Sequence, residues 1–175
     1  MKKLFAIIVI ISFCFSNVND EKQLSKELNG FKNFLGRTFE GEFHNSTQSN
    51  PLIDVMCFER ILNGYGIRIT HSVNNGEFGG EMIIMWNAEI NKLESFYFTT
   101  GGMRSRSIVE VMNNQINFIE DVSKNNNGIK KVKKIYRIKD SGRLESQIKY
   151  YMNNIWVNSH ELFYNEIPFS KVSFN

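Results

Sequence analysis

Apolar and polar residues alternate with a period of two from Thr38 to Asn165. That period puts successive side chains on opposite faces of a strand. It predicts ten strands: Thr38–His44, Ile53–Leu62, Gly66–Val73, Glu81–Trp86, Lys92–Thr99, Arg104–Met112, Gln115–Val122, Ile129–Ile138, Leu144–Met152 and Ile155–Asn165. The breaks carry Asn and Gly, as in Asn63-Gly64, Asn74-Asn75-Gly76, Asn113-Asn114, Asp140-Ser141-Gly142 and Asn153-Asn154. Those residues tolerate the positive φ of tight hairpins, so neighbouring strands pair antiparallel as a meander. Only His44 to Leu52, which contains Pro51, makes a longer connection. A ten-stranded meander has two exposed edges unless it closes on itself. The expected architecture is an all-β, antiparallel up-and-down barrel over residues 37–166, with a β-sandwich as the alternative. A barrel of that size encloses a cavity, and barrel mouths are common ligand sites.

The period differs ahead of the strands. Leu24, Leu28, Phe31 and Leu35 share one helical face, and Asp20 with Gln23 forms a loose capping box. A short N-terminal helix is predicted within residues 19–36, weakened by Gly30. Residues 1–18 read as a secretory signal: basic Lys2 and Lys3, an apolar run from Leu4 to Phe15, then Ser16. That run is shorter than the roughly 20 residues that span a bilayer, and no other run is longer. The sequence thus predicts export to a periplasm or the exterior, without a transmembrane segment. Residues 167–175 form a tail.

Composition narrows the class. Apolar residues make up 42% and charged residues 22% of 175, which excludes wholesale disorder. Removing Lys2 and Lys3 lowers the basic count from 21 to 19 against 18 acidic residues, close to neutrality. That balance argues against nucleic acid as a partner. Lys130, Lys131, Lys133 and Lys134 read as a solvated strand edge. Cys14 leaves with the signal, so Cys57, in an apolar stretch, remains as a single, inert thiol.

The chemistry-bearing residues are sparse. His44, His71 and His160 lie in or beside different strands and lack zinc-site spacing. There is no nucleophile elbow and no phosphate-cradling loop; Gly76, Gly79, Gly80, Gly101 and Gly102 read as turn glycines. No catalytic residue and no cofactor are assigned. Ligand-binding candidates are polar or aromatic residues within apolar strands. Arg60 follows Met56 and Phe58 on one face. His71 shares a face with Ile67 and Ile69. Tyr97 and Thr99 share another, and Arg106 lies beside Ile108. His160 lies on one with Trp156, Asn158, Leu162 and Tyr164. Trp86 ends Met82–Trp86, which is apolar on both parities. The outer side of that run is expected to be covered by the N-terminal helix first, otherwise by the tail or by a second subunit in a homodimer.

The segment Leu35-Gly36-Arg37-Thr38-Phe39-Glu40-Gly41-Glu42 resembles the first-strand signature of lipocalin-like (calycin) barrels: a Gly, an aromatic that is usually Trp, then another Gly. Phe58–Gly64, Gly79-Gly80-Glu81, Tyr97–Gly102 and Ser159-His160-Glu161 are similar to exported bacterial barrels of that class. The resemblance spans residues 34–166 and implies a small hydrophobic or amphipathic ligand in the lumen, bound without catalysis. A more distant resemblance, to nitrobindin-like barrels, implies haem on a His of a late strand; His160 alone has that position. Phe39 in place of Trp and Phe43 in place of Gly depart from the nitrobindin pattern. An enzyme on the same barrel, or an envelope interaction module, are the other function classes.

Overall fold

The structure, a computed structural model, describes residues 23–122, 128–170, 172 and 174. The segment read as a secretory signal lies outside the described residues. Ten strands form one sheet: β1 (Thr38–Glu42), β2 (Ile53–Ile61), β3 (Gly66–Val73), β4 (Phe78–Asn87), β5 (Lys92–Thr99), β6 (Arg104–Met112), β7 (Gln115–Asp121), β8 (Lys131–Ile138), β9 (Leu144–Met152) and β10 (Ile155–Ile167). Each pairs antiparallel with its sequence neighbours, and β1 pairs with β10 to close the barrel. The turn chemistry acts as read. Asn63, Asn74, Asn75, Asn91, Asn113, Asn153 and Asn154 all take positive φ.

β4 begins three residues earlier than its alternation indicates. Gly79 and Gly80 are therefore strand residues paired with Ser72 and His71, and not turn glycines. The N-terminal helix is also corrected. Lys26–Phe31 is a six-residue 3-10 segment with no side-chain cap. Gly30 explains part of this, since a Cβ there would lie 2.5 Å from a Val111 methyl. The segment packs against the barrel end and keeps i→i−3 backbone bonds, as from Leu28 N–H to the Ser25 carbonyl and from Phe34 N–H to the Phe31 carbonyl. The residues flanking it tie it to the barrel, with Ser25 N–H donating to the Gly64 carbonyl of the β2–β3 turn and Gly36 N–H to the Phe58 carbonyl of β2.

This segment closes one end of the barrel. Leu28, Phe31 and Phe34 are fully buried among inward-facing Phe39, Phe58, Ile84, Ile116 and Leu144. Phe58 meets Phe34 at 5.4 Å, Phe39 at 5.9 Å and Tyr136 at 6.0 Å between ring centroids. Each such side chain contributes about 1.5–3 kcal/mol on burial. The tail covers part of the outside. Ser170 exchanges hydrogen bonds with the Thr38 hydroxyl. Val172 is buried, and the Phe174 ring lies against Gly79. Cys57 faces outward beneath this tail and is buried; desolvation pushes its thiol up. The tail reaches β4 at Gly79 and does not cover its outer side at Met85, which stays exposed. No helix among the described residues is long and apolar enough to cross a membrane.

Candidate functional site

The end opposite the 3-10 segment contains a cavity of about 740 Å³. Its apolar wall is Phe43, Ile148 and Leu162, and its rim includes His44, Ser159 and His160. The deeper polar lining is Asp54, His71, Lys134, Ser146 and Tyr164.

Two glycines build the polar floor. On β1, Gly41 pairs with Tyr164 of β10 on one side and Asp54 of β2 on the other. A Cβ at Gly41 would sit 2.7 Å from the Tyr164 ring. Without it the ring crosses β1, and the Tyr164 hydroxyl donates to Asp54 Oδ2 at 2.8 Å. On β4, Gly80 lies between His71 of β3 and Thr99 of β5. A Cβ there would lie 2.6 Å from the Tyr97 ring. That ring crosses β4 and brings its hydroxyl 2.7 Å from His71 Nε2. His71 Nδ1 lies 3.0 Å from Asp54 Oδ1. A carboxylate can only accept, so Nδ1 carries a proton, and Nε2 is the ring nitrogen that meets the Tyr97 hydroxyl. The result is one chain of groups: Tyr164, Asp54, His71, Tyr97. A glycine inside a strand marks this kind of close approach.

Lys134 completes the floor. It lies between Val132 and Tyr136 on the inward face of β8, so it is not part of a solvated edge. Neighbouring strand residues point oppositely, and Lys133 faces out. Lys134 Nζ sits 4.9 Å from the Tyr136 ring centroid and 5.7 Å from that of Tyr97. Among the described residues no carboxylate forms an ion pair with it, whereas Arg68, Arg106 and Arg137 pair with Glu59, Glu94 and Glu145 on the outer face. Burial holds the Lys134 ammonium below the usual lysine range, against the opposing pull of Tyr97 and Asp54. Burial, with Asp54 adding to it, pushes the hydroxyls of Tyr136 and Tyr164 well above the ordinary tyrosine range. Tyr97 is raised by burial, with Lys134 opposing. All three therefore remain protonated hydrogen-bond donors at neutral pH.

The residues singled out from sequence divide by location. His71 and Tyr97 meet on the floor, and His160 stands at the rim. A bulge in β10 accounts for the place of His160: Asn158 pairs with Lys149, yet Glu161 pairs with Gln147. The extra residue reverses the parity. Trp156 and Asn158 therefore share the outward side with Lys149, and Leu162 and Tyr164 point inward. The single face drawn through all five residues is corrected by this bulge. The His160 ring lies edge-on to Tyr150, and its Nδ1 is 2.7 Å from the Ser159 hydroxyl. The other four candidates lie away from the cavity. Arg60 points to the closed end and donates to the Gln23 carbonyl at 3.2 Å, with its Nε buried and unpartnered. Trp86 packs on the core near that end. The Thr99 hydroxyl is engaged with Met103 in the β5–β6 turn. Arg106 faces outward, paired with Glu94 and set over the Phe96 ring.

Asp54 and Lys134 are not among the binding candidates read from sequence, and Tyr164 enters there only through the face drawn with His160. Their sequence signals are Gly41 within a strand and the adjacent Lys133-Lys134, one of which must face inward. No protein-family model matches this chain, and no curated protein does.

Proposed function

We propose that the protein is an exported carrier that holds one small amphipathic molecule in the barrel, polar head down. The observation that carries this reading is the cavity of about 740 Å³ whose wall is apolar and whose floor holds Lys134 without an ion-pair partner among the described residues. Few convergent polar groups beneath an apolar wall are the usual makeup of a small-molecule site. An anionic head pairs with Lys134, and the body lies against Phe43, Ile148 and Leu162. Asp54 is already occupied by Tyr164 and His71, so it does not neutralise the lysine at contact distance.

Calorimetric titration with dodecanoate tests this. One molecule per barrel is expected, with binding abolished by Ile148→Trp, which fills the cavity. Lys134→Met is expected to weaken dodecanoate by about ten- to a hundredfold, the worth of one charged hydrogen bond, and to leave dodecanol nearly unchanged. Equal binding to the Ile148→Trp protein would overturn the reading. Export is tested on the protein recovered outside the cytoplasm, whose intact mass should lack about the first 18 residues.

A second reading, haem binding, rests on His160. Its Nδ1 is held by Ser159, and Nε2 has no partner among the described residues while the ring lines the cavity. A tethered Nδ1 with an available Nε2 suits a metal-ligating histidine. A Soret band on adding haemin that is lost in His160→Ala would favour it; no band would remove it.

A further inference from the structure

An ammonium on the inward face of a barrel strand, half-buried and without an ion-pair partner among the described residues, requires a reason, because withdrawing a charge from water is costly. Lys134 is held by two tyrosine faces and not by a carboxylate, and it lines the cavity. Beside it runs a hydrogen-bonded chain able to move a proton: the Tyr97 hydroxyl on His71 Nε2, and His71 Nδ1 on Asp54. A cation whose role was only structural would find a carboxylate, as Arg68, Arg106 and Arg137 do.

We propose that Lys134 is an amine nucleophile that captures aldehydes of amphipathic shape as a reversible imine. The proposal rests on the cavity reading above and names a ligand class for it. The Nζ lone pair of the neutral amine attacks the carbonyl carbon. A C–N bond forms, and the C=O π pair moves to oxygen. That oxygen takes a proton as nitrogen loses one, giving a carbinolamine. A second proton reaches the oxygen, the C–O bond breaks, and water leaves. Nitrogen then gives up its remaining proton, which leaves a C=N bond. Aldehyde and amine become imine and water, with no oxidant or reductant. His71, which lines the cavity, takes the first proton from nitrogen and returns it to the carbonyl oxygen, while solvent lends the second proton and receives the last one that nitrogen gives up. Desolvation of the ammonium raises the fraction of reactive amine at neutral pH.

The test is reductive trapping of the full chain with dodecanal and cyanoborohydride at neutral pH, read by intact mass and peptide mapping. A single dodecyl adduct on Lys134 is expected, exceeding that on any other lysine by about tenfold or more, because a bound aldehyde is held beside its nucleophile. Ile148→Trp should remove the excess. Lys134→Met should remove the adduct, and cooperative urea unfolding with a parent-like circular dichroism spectrum shows that this variant folds. Adducts spread evenly over surface lysines, with dodecanol binding intact, would overturn imine capture and leave the cavity reading standing. Failure of both dodecanol and dodecanal to bind would overturn both.

Discussion

Replacing Tyr164 by Phe removes one oxygen and keeps the ring that crosses Gly41. The lost hydroxyl donates at 2.8 Å to Asp54, and both residues are 3% exposed, so water cannot easily substitute. A hydrogen bond to a charged group contributes about 1.5–3 kcal/mol, and a buried acceptor left short carries a penalty of similar size. His71 still donates to the other carboxylate oxygen, which limits the loss. The expected destabilisation is about 2 kcal/mol. For a domain of this size that lowers Tm by about 4–8 °C. Urea unfolding should show a lower midpoint with an unchanged slope. A double-mutant cycle with Asp54→Asn isolates the pair, and a coupling of about 1–2 kcal/mol is expected. Full additivity, or a Tyr164→Phe midpoint equal to that of the wild type, would refute the chain of groups that organises the floor.

Other consequences follow from the same geometry. Gly41→Ala drives a methyl to within 2.7 Å of the Tyr164 ring and 3.0 Å of the Phe163 carbonyl; thermal unfolding should register about 1–3 kcal/mol of strain, and dodecanoate affinity should fall. Phe58→Ala empties the closed end, and chemical denaturation should show a loss of about 3–5 kcal/mol with ligand binding retained under folding conditions. Hydrogen bonding from Arg106 holds the Glu94 carboxyl below its ordinary 4.5. The folded acid is the stronger one, so its stabilisation is present above that value and fades as pH falls through it. Arg106→Gln should therefore destabilise by about 0.5–1 kcal/mol at pH 7, and the deficit should vanish in acid. Conversely, a hydrogen bond to Glu145 raises the Glu161 carboxyl while the same bond lowers Glu145, so the contribution of Glu161 alone is present in acid and is lost as pH rises through its raised folded value. Glu161→Gln should stabilise by about 0.5 kcal/mol at neutral pH, read from thermal unfolding across pH.

The strands and turns were legible because period-two alternation and Asn-rich breaks are local properties. Eight successive positions from Asp54 to Ile61 pair with β3 without a break in register. The inward parity was not legible, because it depends on which face meets the opposite wall. That is why Arg106 was a candidate and Lys134 was not. The bulge before Glu161 adds one residue without any Gly or Pro to mark it, so the true neighbours of His160 could not be read. The N-terminal segment shows the reverse case. Its apolar spacing of four, three and four is real, and all of Leu24, Leu28 and Phe31 are buried. Packing against Val111 and the β2–β3 turn selects a 3-10 segment over the helix that this spacing favours. Gly41 and Gly80 held the most information about the site. Each is a strand glycine whose missing side chain lets a tyrosine reach across to Asp54 or His71.

The most direct test of the central claim is chemical-shift mapping of the isotopically labelled protein during titration with dodecanoate. Saturable perturbations are expected at Phe43, Asp54, His71, Lys134, Ile148 and Leu162, with the closed end around Phe34 and Phe58 unmoved. Perturbations confined to the exposed outer residues Met85, Phe96 and Phe98, or none at all, would contradict a ligand held inside the barrel.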